Sequence, residues 1–266
     1  MFKKYLTLIR AGIIESIQFR LGLFVMFLGN ILYLVVVFFL WKAIYNSSGS
    51  DIVNGMSFVD TLIYLVLATS LFRFMEMHTV WEMGDNIKTG KIVVYLTKPL
   101  KYYNYLFWSH SGSLIINFLF TFLPTFIIVF IVTNGYINLG VNILLFILSV
   151  LMSIIINYSI DFIVGAICLY TESIWGINIM KQVIVLLLSG ATIPIAFFPH
   201  LFKKIIYCLP FHAIYNTPLI ILLDSNSEPS YLFKALIEQF IWCIIMIFIS
   251  KIFWNKSIRR IVVNGG

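Results

Sequence analysis

A chain of 266 residues that is 61% hydrophobic, 11% charged and contains 25 phenylalanines is not an ordinary soluble domain, in which about a quarter of residues are charged. Its mean hydropathy of +0.99 places it among membrane proteins, and no polar stretch approaches the ~50 residues of a small domain. That excludes a built-in nucleotide-binding domain, protease or kinase. The three cysteines, Cys168, Cys208 and Cys243, fall in or beside apolar stretches at no metal-like spacing and read as small apolar fillers.

The first twenty residues are not a cleavable signal, because Arg10, Glu15, Gln18 and Arg20 interrupt what would have to be an unbroken apolar core. Phe2, Leu6, Ile9, Ile13 and Ile17 recur at helical spacing, which predicts a helix over residues 1–20 lying in the membrane interface. Six crossings of ~20 apolar residues follow: Leu21–Trp41, Phe58–His78, Tyr105–Val132 with a kink at Pro124, Val141–Tyr170, Gln182–Phe198 and Leu232–Trp254. The remaining apolar stretch, His200–Leu223, is cut by Pro199, Pro210 and Pro218 into pieces too short to cross. Residues 199–231 are therefore expected to form a re-entrant or interfacial helical pair, and the fold class is all-α, polytopic.

Six crossings put both termini on one side, and Lys and Arg say which. The terminal side collects Lys3, Lys4, Arg10, Arg20, Lys88, Lys91, Lys98, Lys101, Lys181, Lys251, Lys256, Arg259 and Arg260. The opposite side has Lys42, Lys203, Lys204 and Lys234. Both termini are expected in the cytoplasm. The net charge of +7 is thus a topology signal rather than a nucleic-acid footprint.

The inventory of catalytic groups is empty. There is no GxxxxGK[ST] phosphate loop, no HExxH and no paired metal ligands, and His78, His110, His200 and His212 are scattered. A membrane phosphotransferase would need clustered aspartates, for which Glu82 with Asp85 is a poor substitute. Charges at membrane depth are costly and draw attention. Arg73 in the second span and Asp161 in the fourth lie at similar depth in helices running opposite ways, with Glu76 one turn below Arg73. They are expected to pair, either to set helix packing or to contact cargo or protons.

The polar hinge between the second and third spans, Asp85–Leu100, reads DNIKTGKIVVYLTKPL. Glu82 and Asp85 favour a helix start, Gly90 favours its end, and Ile92–Thr97 predicts a second short element with an apolar face before Pro99. Lys88, Lys91, Lys98 and Lys101 surround it. A short basic and apolar projection from a membrane domain suits a docking contact with a soluble partner.

Taken together, Gly90 followed by Leu96, Lys98, Pro99 and Leu100, then SGATIPIAFFP over Ser189–Pro199 with Gly190 and Pro194, then Pro210 within Leu209–Phe211, and Pro218 resemble the membrane-spanning permeases of type-2 ABC exporters, the ABC-2 family transporter proteins. The resemblance covers essentially the whole chain. It implies a plasma-membrane subunit without a cofactor of its own, working with a separate ABC ATPase that holds ATP and Mg, and a second permease, identical or related. In that family Asp85, Lys88, Gly90, Lys91, Leu96 and Pro99 would lie in the ATPase-coupling segment. Gly190, Pro194, Pro199 and Pro210 would mark the extracellular re-entrant helices. The cargo expected is amphipathic, drug-like or lipid-like. A stand-alone channel or secondary transporter is the alternative, although such folds often pair two broken hairpins and only one is evident here.

Overall fold

Backbone amides in a bilayer core have no water to bond, so apolar runs of this length close their hydrogen bonds internally as helices. The computed structural model describes residues 2–18, 20–133, 137, 140–171, 174–223 and 229–260, and these form an all-α membrane protein with one small hairpin. Among the described residues, five segments are long and apolar enough to cross a membrane, or six if a bent helix pair counts as one span.

Helix α1 (Phe2–Gln18) is followed by α2 (Arg20–Ser48). The second helix runs past the expected end at Trp41 and exposes Leu32, Val36 and Phe39, as a lipid-facing helix does. A hairpin of β1 (Ile52–Val53) and β2 (Met56–Ser57), which the sequence reading missed, turns at Asn54-Gly55 with both residues at positive φ. It is tied down by the Tyr45 hydroxyl, which donates to Met56 O at 2.9 Å. Ser57 and Asp60 then form a reciprocal capping box that starts α3 (Phe58–Phe74).

After α4 (Thr79–Lys88) and α5 (Ile92–Leu96), the third span runs from α6 (Tyr102–Asn117) through a π turn at Phe118–Phe122 into α7 (Leu123–Val132). The irregularity expected at Pro124 takes this form: the wider turn relieves the clash of the proline ring with the preceding turn. Helix α8 (Val141–Ile167) is the central post, packed by α4, α9, α11 and α12.

Two expectations are corrected in the second half. Helix α9 spans Ile174–Leu188 rather than Gln182–Phe198, because a turn at Ser189–Gly190 ends it. Its 15 residues rise ~22 Å, short of a full bilayer core. Pro218 does not cut the next stretch either. Helix α10 (His200–Tyr207) and α11 (His212–Leu223) meet at 103°, and α11 continues straight through Pro218. Buried on nearly all sides, α11 has neighbours to satisfy the freed carbonyl region. Residues 224–228 of the expected 199–231 segment lie outside the described residues. The last helix is α12 (Pro229–Ser257).

Two contacts set the packing. At Gly12 and Gly112, α1 meets α6 so closely that a Cβ on Gly112 would lie 2.4 Å from Ile9 O and Ile13 N. The buried face of α1 is accordingly centred on Gly12, with Ile9 and Ile13 half-buried, while Leu6 and Ile17 of the expected stripe stay exposed. Deeper in the bundle, the two N–H groups of Gln239 Nε2 are shared among Ser149 O, Ser153 Oγ and Ala213 O at 3.0, 2.9 and 2.8 Å, and Ser149 Oγ donates to Gln239 Oε1 at 2.7 Å. This closed polar cluster ties α8, α11 and α12 together with every amide group of Gln239 used.

Candidate functional site: a broken span and its projection

The second span does not run unbroken to His78. Helix α3 ends at Phe74, Met75 to His78 are non-helical, and α4 resumes at Thr79. Asn157 of α8 compensates, its Nδ2 donating to Met75 O at 3.2 Å. Irregular backbone at membrane depth is tolerated where protein or a polar cavity shelters it, and here cavities lie on both sides. One of about 50 Å³ is lined by Glu76, His78, Asn157, Asp161, Asn178, Lys181 and Tyr215, among others. A larger one, about 380 Å³, is lined by Gly12, Glu15, Ser16, Glu76, His78, Glu82, Ser109, His110 and neighbours. Glu76 and His78 face both, so the break is a polar partition between them.

The charges do not pair as expected. Arg73 Nη1 reaches Glu76 Oε2 at 3.3 Å, within its own helix end, whereas Asp161 accepts from Lys181 Nζ at 2.7 Å. Asp161 is 2% and Lys181 14% exposed, so the second pair is buried; Arg73 and Glu76 are 37% and 26% exposed. The physical reason is the position of α9. Running from Ile174 to Leu188, it carries Lys181 inside the bundle rather than in a loop, and Lys181 therefore leaves the set of charges expected on the terminal side. The signal that could have found it is the Asn178, Lys181, Gln182 spacing, a polar face at i, i+3 and i+4 on an otherwise apolar helix. On the other side of the break, His110 Nε2 stands 3.0 Å from Glu82 Oε2.

From this break, α4 leads outward. Its inner face is pressed onto the bundle: a Cβ on Gly84 would lie 2.4 Å from Ile174 Cδ1, and one on Gly165 would lie 2.7 Å from Met83 Sδ. Such close approach makes α4 a stiff extension of α8 and α9 rather than a loose loop. The helix begins at Thr79, so Asp85 sits in its second turn and not at its start. Thr89 N donates to Asp85 O at 2.9 Å, Gly90 N to Ile87 O at 3.2 Å, and Gly90 takes φ +72°, the left-handed conformation that ends helices and that side chains resist.

Beyond the turn, α5 folds back with Ile92 buried. Tyr95 lies against Tyr102 and Tyr105, with ring centroids 5.7 and 4.9 Å apart. Asn86 Nδ2 donates to Tyr102 Oη at 3.1 Å. What remains outside is a small apolar knob, Val94 (61% exposed) and Leu96 (38%), of which sequence reasoning named only Leu96. Asp85, Lys88, Gly90, Lys91, Leu96 and Pro99 are all exposed on this one projection. Lys91 Nζ and Asp85 Oδ2 are 3.8 Å apart across the turn.

At the opposite end, Gly190 turns the chain at φ +80° beneath Tyr64, whose hydroxyl donates to Asn216 Oδ1 at 3.2 Å. Pro194 precedes a short 3-10 turn, Pro199 precedes α10, and Pro210 sits in the bend before α11. Pro194 also lines a cavity of about 540 Å³ with Asp60, Tyr64, Lys203, Tyr207, Asn216 and Tyr231. Among the described residues, no group of three or more His, Cys, Asp or Glu is placed to hold a metal ion.

No curated protein matches the chain. The family model of the ABC-2 family transporter protein matches residues 31–265, beginning within α2. The chain belongs to the ABC-2 family of transporter proteins.

Proposed function

We propose that this ABC-2 permease is the membrane half of an ATP-driven exporter and that a separate ATPase subunit docks on the α4–α5 projection. The observation that carries the reading is mechanical. The exposed Val94 and Leu96 sit on a projection whose other end is packed through Gly84 and Met83 against α9 and α8. The projection runs into the broken backbone at Met75–His78. A push on the knob is transmitted to the polar partition because no soft segment intervenes between α4 and the post it packs on. ATP binding biases the permease between states only through differential affinity of the ATPase for those states, which a stiff coupling element allows.

In this reading both termini are cytoplasmic. Withdrawal of Lys181 into the bundle leaves Lys3, Lys4, Arg10, Arg20, Lys88, Lys91, Lys98, Lys101, Lys251, Lys256, Arg259 and Arg260 against Lys42, Lys203, Lys204 and Lys234. Helix α1 lies at the cytoplasmic interface, and the α10–α11 pair dips in from outside and returns. A second permease subunit completes the pathway. The paired polar cavities, set among aromatic and aliphatic side chains, suit an amphipathic cargo.

Co-purification tests the docking claim. Leu96→Asp and Val94→Asp place a charge in the apolar knob, where truncating an interface hot spot costs ~2 kcal/mol or more. Each is expected to release the ATPase while leaving the chain inserted and monodisperse. Undiminished co-purification of both variants would contradict it.

A further inference from the structure

We infer that the cleft between the end of the coupling segment, the start of α6 and the end of α12 is a binding site for an anionic phospholipid of the membrane leaflet on the lysine-rich face. The cleft encloses about 470 Å³. Three cations line it, Lys98, Lys101 and Lys251, and among the described residues its lining contains no Asp or Glu. Its floor is aromatic: Trp254 stacks on Tyr102 with ring centroids 5.4 Å apart and meets Phe162 edge-on at 5.2 Å. Lys98 is held over the rings of Tyr95 and Tyr105, 4.0 and 4.9 Å from their centroids. One mouth thus combines fixed positive charge with a Tyr and Trp floor, the composition that prefers the headgroup layer.

A free anion would need only the charges. The surface beside the cleft adds a place for acyl chains. From Lys251 toward the membrane centre, α12 presents Phe248, Ile244, Ile241 and Ile237 at alternating steps of three and four, all exposed. From Phe248 to Ile237 this apolar column is ~17 Å long. Charge complementarity selects a phosphate-bearing headgroup, and the column continuous with it selects a lipid. Basic pockets between membrane helices recognise anionic headgroups in this way. Because Leu96, Lys98 and Pro99 form one wall, a bound lipid would brace the coupling segment. The binding itself requires no ATPase, so its test is independent of the docking claim.

The test uses the full-length chain alone in nanodiscs of phosphatidylcholine, into which brominated phosphatidylglycerol is titrated while tryptophan fluorescence is read. Saturable quenching beyond that given by brominated phosphatidylcholine is expected, and Trp254→Phe should remove that increment. The triple change Lys98→Gln, Lys101→Gln, Lys251→Gln should weaken the preference for phosphatidylglycerol by ~100-fold, the product of three surface charges. The corresponding triple Lys→Arg variant should keep it, as should Lys203→Gln with Lys204→Gln on the other face. Equal quenching by the two lipids, or a preference that survives the triple Gln change, would overturn the inference. So would loss of the preference in the triple Arg variant. Displacement of the effect by millimolar inorganic phosphate would reveal a free-anion site and also overturn it.

Discussion

Lys181 Nζ stands 2.7 Å from Asp161 Oδ1, a buried ion pair that joins α9 to α8 beside the broken second span. Desolvating two charges is expensive, so the pair holds only because each compensates the other. Removing one partner strands a buried charge. Asp161→Ala and Lys181→Ala are each expected to destabilise the detergent-solubilised protein by ~3–5 kcal/mol. The double change should cost much less than the sum. Thermal unfolding of the three variants gives the comparison, and additive losses would show that the two side chains do not meet.

Arg73 should behave differently. Its partner is Glu76 of the same helix end, 3.3 Å away, and not Asp161. A double-mutant cycle of Arg73→Gln with Asp161→Ala should give no coupling. A coupling comparable to that of Lys181 with Asp161 would place Arg73 in the buried site.

The contact between α1 and α6 offers a packing test. A side chain at Gly112 meets backbone atoms of Ile9 and Ile13, which cannot rotate away. Gly112→Val is expected to cost ~1–3 kcal/mol by overpacking and to loosen α1. A thiol reagent should then label Ile13→Cys, half-buried in the parent, several times faster. Unchanged labelling would mean that α1 is free to shift as a unit.

Topology is checked by labelling. Asn54 lies in the turn of the hairpin and Thr89 at the end of α4, both exposed. A cysteine at Asn54 should react with an impermeant reagent on intact cells, and one at Thr89 only after permeabilisation. Labelling of Thr89 from outside would reverse the orientation drawn from the basic residues.

Much of the architecture was legible in the sequence because its signals are local. Apolar length set the class, and Gly90 and the prolines from Pro194 to Pro210 punctuated the chain where turns occur. The break at Met75–His78 was not, since RFMEMH contains neither Gly nor Pro. What stabilises it is tertiary, the Asn157 side chain reaching Met75 O from α8. The same holds for Lys181: a lysine near a span boundary reads as a loop charge, and its partner Asp161 lies on another helix, twenty residues earlier in the chain. Depth matching alone chose Arg73 for Asp161; the three-dimensional arrangement chose Lys181.

The central claim is that the coupling projection moves the polar partition. Met77, buried and lining the small cavity, is the position to watch, in a chain whose Cys168, Cys208 and Cys243 are replaced by Ala. With the partner ATPase bound, the labelling rate of Met77→Cys by a small thiol reagent is measured with and without nucleotide trapped by vanadate. A severalfold change in rate on trapping is expected, and it should be lost with Leu96→Asp, which releases the ATPase. A rate indifferent to nucleotide, or a change that persists with Leu96→Asp, would contradict the claim.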